Sequence, residues 1–171
     1  DKRFIYRLVV TGAHLLKDSG QTINEIKRDG FKISKTLKMF KVNNGDGASM
    51  VSGISSLLKP LVKFLKYEQP DIVLAGFDIG GNFSIVIAAA HLNIPVAHIQ
   101  GGERSGSIDE SIRHSMSKFS NYHFVATEEA KKRLVKMGEI KKDIFVVGCP
   151  SIDALNEAKP LKLNLLKKKY K

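Results

Sequence analysis

The stretch from Asn93 to His114 reads NIPVAHIQGGERSGSIDESIRH and carries most of the side chains in this sequence that could do chemistry. His98, Glu103, Asp109, Arg113 and His114 stand within it, with Asp78 upstream and His123 downstream. Carboxylates can exchange protons and an arginine can hold an anion, so acid–base work beside a charged group is the chemistry on offer. Asp109 and Arg113 are four residues apart, as are Glu110 and His114, which places each pair on one face of a helix. Gly101 and Gly102 stand just ahead of that helix, where glycine allows close backbone approach and a helix start attracts anions.

Each residue also has an ordinary structural reading. Asp109 could simply place negative charge in a first helical turn. His98 sits in an apolar strand, where a hydrogen-bonded core histidine is the commoner finding, and His91 at a helix end reads as structural. Asp78 immediately follows the apolar run DIVLAGF and stands at the edge where a parallel sheet binds ligands. No H-x-x-x-H or comparable ligand spacing occurs and Cys149 is alone, so the reading calls for no metal and no cofactor.

These side chains need a scaffold, and the pattern supplies one by alternating strand and helix. Phe4–Thr11 is β-rich, and Thr22 with Glu25 forms a capping box that starts a short helix ending at Gly30. A strand is expected around Phe31–Ser34, followed by a turn over Asn43–Gly47. Apolar residues at helical spacing from Ala48 to Tyr67 predict a helix that Pro60 kinks or divides. Strands are expected at Asp71–Phe77, Ile94–Gln100, Tyr122–Ala126 and Ile144–Val147. Helices fall between them at about Asn82–His91, from a Ser107/Glu110 capping box to Lys118, and after Thr127. This is the pattern of an α/β fold, a Rossmann-like doubly wound parallel sheet covered on both faces. Ligands then bind beyond the carboxyl ends of the strands, four of which are followed by glycine. Glycines also make plain turns, so spacing alone leaves a phosphate-bearing ligand and simple turns both open.

Composition narrows the class. The chain has 171 residues with 43% hydrophobic and 26% charged, the balance of a globular domain. Its longest apolar run, Ile85–Ala90, is far shorter than the roughly 20 residues that span a bilayer, which argues against a membrane partner. The lone cysteine fits a reducing, cytoplasmic setting. A net charge of +11 raises nucleic acid as a partner. The lysines are scattered, however, and the densest run (Lys159, Lys162, Lys167, Lys168, Lys169, Lys171) lacks interleaved aromatics. We therefore read them as a solvated surface.

The run IPVAHIQGGERSGSIDESIRHSMSKFSNYHFVATEEAKKRL, with FVVGCPSID after it and VTGAHLLKDSGQTINEI before it, resembles the hydrolysing UDP-N-acetylglucosamine 2-epimerases. The resemblance covers residues 4 to about 155. It implies one half of a two-domain glycosyltransferase-B arrangement, with UDP-N-acetylglucosamine in the cleft between domains and a homo-oligomeric full-length protein. Residues 1–156 would be the Rossmann-like N-terminal domain without its first strand, which leaves a gap in the middle of the sheet. Residues 157–171 would be a basic helical tail or the start of a linker, with a lysine-rich helix at Leu161–Tyr170. The implied reaction eliminates UDP across C1 and C2 of the sugar and hydrates the glycal to N-acetylmannosamine.

By position, the resemblance maps catalytic groups onto Asp78, Glu103, Asp109 and His123. It maps substrate-binding positions onto His14, Gln100, Gly101, Gly102, Arg113 and His114. Two departures stand out. Many relatives read G-D-R-x-E where this chain has Phe77-Asp78-Ile79-Gly80-Gly81, and an acid carried by some relatives is Gln100 here. A non-hydrolysing epimerase is the nearest alternative, although that branch usually reads E-A-G-L-R-T where this chain reads E-R-S-G-S-I-D-E. A non-catalytic nucleotide-sugar-binding module is the alternative from another class.

Overall fold

The computed structural model describes residues 3–40 and 46–158. The helix expected at Leu161–Tyr170 and residues 43–45 of the expected turn lie outside the described residues.

Among the described residues six strands alternate with helices. Strand β1 (Leu8–Thr11) pairs in parallel with β2 (Ile33–Leu37), and helix α1 (Ile23–Arg28) lies between them in sequence. A four-stranded parallel sheet follows in the order β3 (Val73–Gly76), β4 (Val96–Ile99), β5 (Tyr122–Val125) and β6 (Ile144–Val146). Helices α2 (Gly47–Glu68), α3 (Gly80–His91), α4 (Ile108–Lys118) and α5 (Glu128–Lys136) make the crossovers, and α6 (Pro150–Glu157) closes the described chain. The two sheets are separate, with no hydrogen-bonded strand joining β1 to β3 among the described residues.

Several local expectations shift. Phe4–Arg7 is not strand, and β2 begins two residues later than Phe31. Pro60 does not divide α2, which runs unbroken because Leu57, Leu61 and Leu65 pin one face of it in the core. Proline removes only the one N–H that would reach back four residues. The Thr22/Glu25 capping box does not form, since Thr22 adopts helical angles and its hydroxyl pairs with His14 Nδ1 at 2.7 Å. Gly30 ends α1 as expected, with φ +82°. α6 was not foreseen in the sequence.

The main core lies on one face of the larger sheet. Leu57, Leu61 and Leu65 of α2, Val86 and Ala89 of α3, and Met116 of α4 pack with Val73, Ala75 and Val96. Close approach of α2 to α3 depends on glycine. A Cβ at Gly80 would stand 2.5 Å from Met50 Sδ, and one at Gly81 would stand 2.8 Å from Thr11 Cγ2. Gly80 and Gly81 therefore serve helix packing and seat the carboxyl end of β1 against the first turn of α3. On the opposite face, Leu74, Tyr122 and Phe145 share one side of the sheet and are 64%, 40% and 43% exposed. Helical cover among the described residues is thus one-sided. α2 is long and apolar enough to cross a bilayer by length and composition, but its leucine face packs inward here.

His98 and His123 are direct neighbours on β4 and β5, both on the covered face and both buried. His98 Nδ1 meets Ser117 Oγ at 3.0 Å, and His123 Nε2 meets Glu139 Oε2 at 3.2 Å. Burial, with His123 and Arg113 adding positive charge, pushes His98 down to about 3. Burial likewise lowers His123, against the opposing pull of Glu139. His98 stays neutral when folded and takes up a proton near pH 6.5 when unfolded, so acid favours unfolding in this window. Stability is full above pH 6.5 and falls by about 2 kcal/mol between pH 7 and pH 5 from this one group. Urea midpoints at the two pH values should show the loss, and His98→Asn should reduce it; an unchanged pH dependence in the variant would contradict the assignment.

Candidate functional site

The carboxyl ends of β3, β4 and β5 converge on one crevice. Two of them turn into their loops through non-glycine residues in the left-handed region, Phe77 at φ +63° and Gln100 at φ +59°. Such residues cost on the order of 1 kcal/mol each and persist where surrounding contacts hold them. Gln100 is held by its N–H to Phe124 O at 2.8 Å and by Nε2 donating to Cys149 Sγ at 2.8 Å. The turn after β6 is thereby drawn to the end of β4. The Cys149 thiol is held below its ordinary range, chiefly by the N–H groups of Ile152 and Ser151.

Arg113 organises the centre. It projects from α4, donates from one guanidinium nitrogen to Asp78 Oδ2, and from the other to the Glu103 carbonyl at 3.0 Å. Both members of the ion pair are largely shielded, at 13% and 18% side-chain exposure. One side chain thus ties the loop after β3 to the loop after β4. Arg133 of α5 adds a second tie by donating to the Gly102 carbonyl, and it pairs with Glu129 at 2.9 Å.

The acids then differ in their commitments. Asp78 is spent on Arg113. Asp109 accepts the Ser107 hydroxyl at 2.8 Å in the first turn of α4. Glu103 has one long contact, with Thr127 Oγ1 at 3.5 Å, and it lines an open cleft of about 460 Å³ with Arg104, Ser105, Gly106, Glu129 and Arg133. Among the described residues Glu103 and Asp109 carry no ion pair.

The remaining expected residues fall in three places. His114 is beside the centre, with Nε2 3.8 Å from Glu110 Oε1 and Nδ1 buried without a hydrogen-bond partner. His14 follows β1 in a short 3-10 turn and faces Thr22, on the flank formed by the smaller sheet. His123 is not brought to the crevice; it is 1% exposed in the core, where Glu139 and the sheet enclose it. Gly101 and Gly102 lie at the crevice, but protein atoms fill the space a side chain would need there. A Cβ at Gly101 would stand 2.9 Å from His98 Nδ1, and one at Gly102 would stand 2.6 Å from the Ala130 carbonyl. Internal packing, joined at Gly102 by a φ of +79°, accounts for their glycine identity. The sequence reading missed Arg133 and the use made of Glu110. Arg133 had no signal beyond its helical spacing from Glu129. No group of three or more metal-ligating side chains gathers among the described residues.

Known proteins are similar to this chain in sequence and in fold. A family model described as UDP-N-acetylglucosamine 2-epimerase matches residues 1–171. A UDP-N,N'-diacetylbacillosamine 2-epimerase (hydrolyzing) of Legionella pneumophila is 43% identical over 163 residues, covering 95% of this chain and 43% of its own length. A GDP/UDP-N,N'-diacetylbacillosamine 2-epimerase (hydrolyzing) of Campylobacter jejuni is 36% identical over 149 residues, covering 86% of this chain and 38% of its own. The crystal structure of a Neisseria meningitidis UDP-GlcNAc 2-epimerase bound to UDP-GlcNAc superposes with a TM-score of 0.75 at 25% identity, over 96% of this chain and 42% of that one. The chain therefore spans less than half the length of these proteins.

The Arg113 tie can be tested directly. Arg113→Ala leaves the shielded Asp78 carboxylate without its partner and should cost about 3 kcal/mol in urea unfolding. Arg113→Lys should recover only part of this, because a lysine cannot reach two acceptors as a planar fork. A loss under about 0.5 kcal/mol for Arg113→Ala would place the pair among ordinary surface ion pairs.

Proposed function

The chain belongs to the UDP-N-acetylglucosamine 2-epimerase family, and from that premise we propose that it provides the acid–base half of a hydrolysing 2-epimerase acting on a UDP-linked 2-acetamido sugar. The observation that carries the reading is Arg113 fixing Asp78 and the Glu103 backbone in one crevice while leaving the Glu103 carboxylate uncommitted. The hydrolysing outcome is supported by the Legionella and Campylobacter relatives and by the loop sequence E-R-S-G-S-I-D-E.

The reaction sets demands that these residues meet. Removing the proton from C2 while the bond from C1 to UDP breaks forms the glycal, and water then adds to release the free 2-epimer. The C2 proton is not acidified by a carbonyl, so a positioned base and stabilisation of the departing diphosphate carry the barrier. We assign the base to Glu103, whose carboxylate faces the open cleft and is engaged only by the long Thr127 contact among the described residues. Asp109 remains the second acid of the site, Asp78 orients Arg113, and His14, Gln100 and His114 line the substrate side.

UDP-N-acetylglucosamine is the substrate implied by the family. A second reading, UDP-N,N'-diacetylbacillosamine, is favoured by the 43% identical Legionella protein of that name. Incubation of the full-length protein with each nucleotide sugar, followed by chromatography, distinguishes them. We expect UDP and a free 2-epimeric sugar in equal amounts; a UDP-linked epimer as the only product would contradict the hydrolysing outcome. Glu103→Gln should lower kcat by roughly 10²–10⁴-fold with a much smaller change in KM, as removal of a general base does. An unchanged kcat in that variant would transfer the role to Asp109.

A further inference from the structure

Glu110 was expected to close a capping box on the N–H of Ser107, and it does not. Its Oε2 accepts the N–H of Ser105 and of Gly106, each at 2.9 Å, in the irregular segment ahead of α4. Ser107 caps the helix by itself, with Oγ accepting from Asp109 N–H at 3.2 Å. The other Glu110 oxygen faces Arg104 and His114, each at 3.8 Å. The carboxylate is therefore turned away from the helix and onto the loop.

That loop is the one that carries Glu103. Arg113, three residues further along α4, holds the Glu103 carbonyl, so one helix face grips the loop at both ends of the Glu103–Gly106 segment. Gly106 passes through φ +70° between these grips, a conformation the chain keeps more easily when its N–H is bonded. Among the described residues the Glu103 side chain has only the 3.5 Å contact with Thr127 to orient it, so its placement depends on its backbone.

We infer that Glu110 is a positioning residue of this site, holding Glu103 in place through the Ser105 and Gly106 amides. This rests on the proposed epimerase reading for its catalytic consequence, but the loop contact itself does not. The two amide bonds hold the carboxyl below the usual carboxylate range, which keeps the acceptor charged across neutral pH. A glutamine keeps one carbonyl oxygen of the same reach and can accept both N–H groups; an alanine cannot.

Two measurements test it. Amide exchange at Ser105 and Gly106, read by NMR on the chain, should accelerate at least about tenfold in Glu110→Ala and change less than about threefold in Glu110→Gln, as expected when a protecting hydrogen bond is lost or kept. Unchanged exchange in Glu110→Ala overturns the inference, whatever the protein catalyses. In turnover of the nucleotide sugar by the full-length protein, Glu110→Ala should lower kcat by about tenfold or more with little change in KM, and Glu110→Gln should recover most of it with the same pH profile. Equal losses in both variants, with a limb of the pH profile gone, would make Glu110 a proton-transfer group and overturn the inference. If the full-length wild-type protein turns over no nucleotide sugar, the epimerase reading fails while the exchange result still decides the loop contact.

Discussion

The fork of Arg113 is the contact on which the candidate site depends. Parallel strands end side by side, but nothing in a parallel sheet fixes the loops that follow them. Here a single guanidinium on α4 reaches back across the crevice and binds the loop after β3 through Asp78 and the loop after β4 through the Glu103 carbonyl. A planar, permanently charged donor suits this task, since it serves two acceptors at fixed angles without losing its proton. Because the pair is mostly shielded, water competes for it weakly.

The surrounding structure supports that fork by close packing. Gly80 and Gly81 let α3 start against Met50 and Thr11, which places Asp78 two residues ahead of a buried helix. Gly101 and Gly102 let the β4 loop lie on His98, Ser117 and Ala130. The buried histidines behind the crevice join this support: His98 bonds Ser117, whose hydroxyl also donates to the Arg113 carbonyl. The core histidine pair thus reaches the site through the helix that carries the arginine. The acids follow from the same arrangement. Asp78 is neutralised structurally, Glu110 holds the loop, and Glu103 is presented with little to restrain its carboxylate.

Much of this was legible in the sequence. The apolar runs before Asp78 and Gln100, the serine ahead of Ile108 and the threonine ahead of Glu128 locate strands and helix starts because period and capping chemistry are local. The crevice was legible as well, since strand ends in a parallel sheet face one way. What was not legible depended on partners distant in sequence. Thr22 and Glu110 looked like capping residues, but His14 and the Ser105–Gly106 amides claim them. The crowding of Gly80 and Gly81 by α2 and β1, and of Gly102 by α5, is likewise something no local pattern reveals. His123 matched a family position, yet the register of β5 beside β4 turns it into the core.

The most direct measurement is a crystal structure of the protein with UDP-N-acetylglucosamine bound. The account places the sugar within hydrogen-bond distance of the Glu103 carboxylate, at the ends of β3 and β4 and beside the Gly101–Asp109 segment. A nucleotide sugar seated elsewhere, against the open sheet face of Leu74 and Phe145 or in the groove of Phe4 and Tyr6, would contradict it.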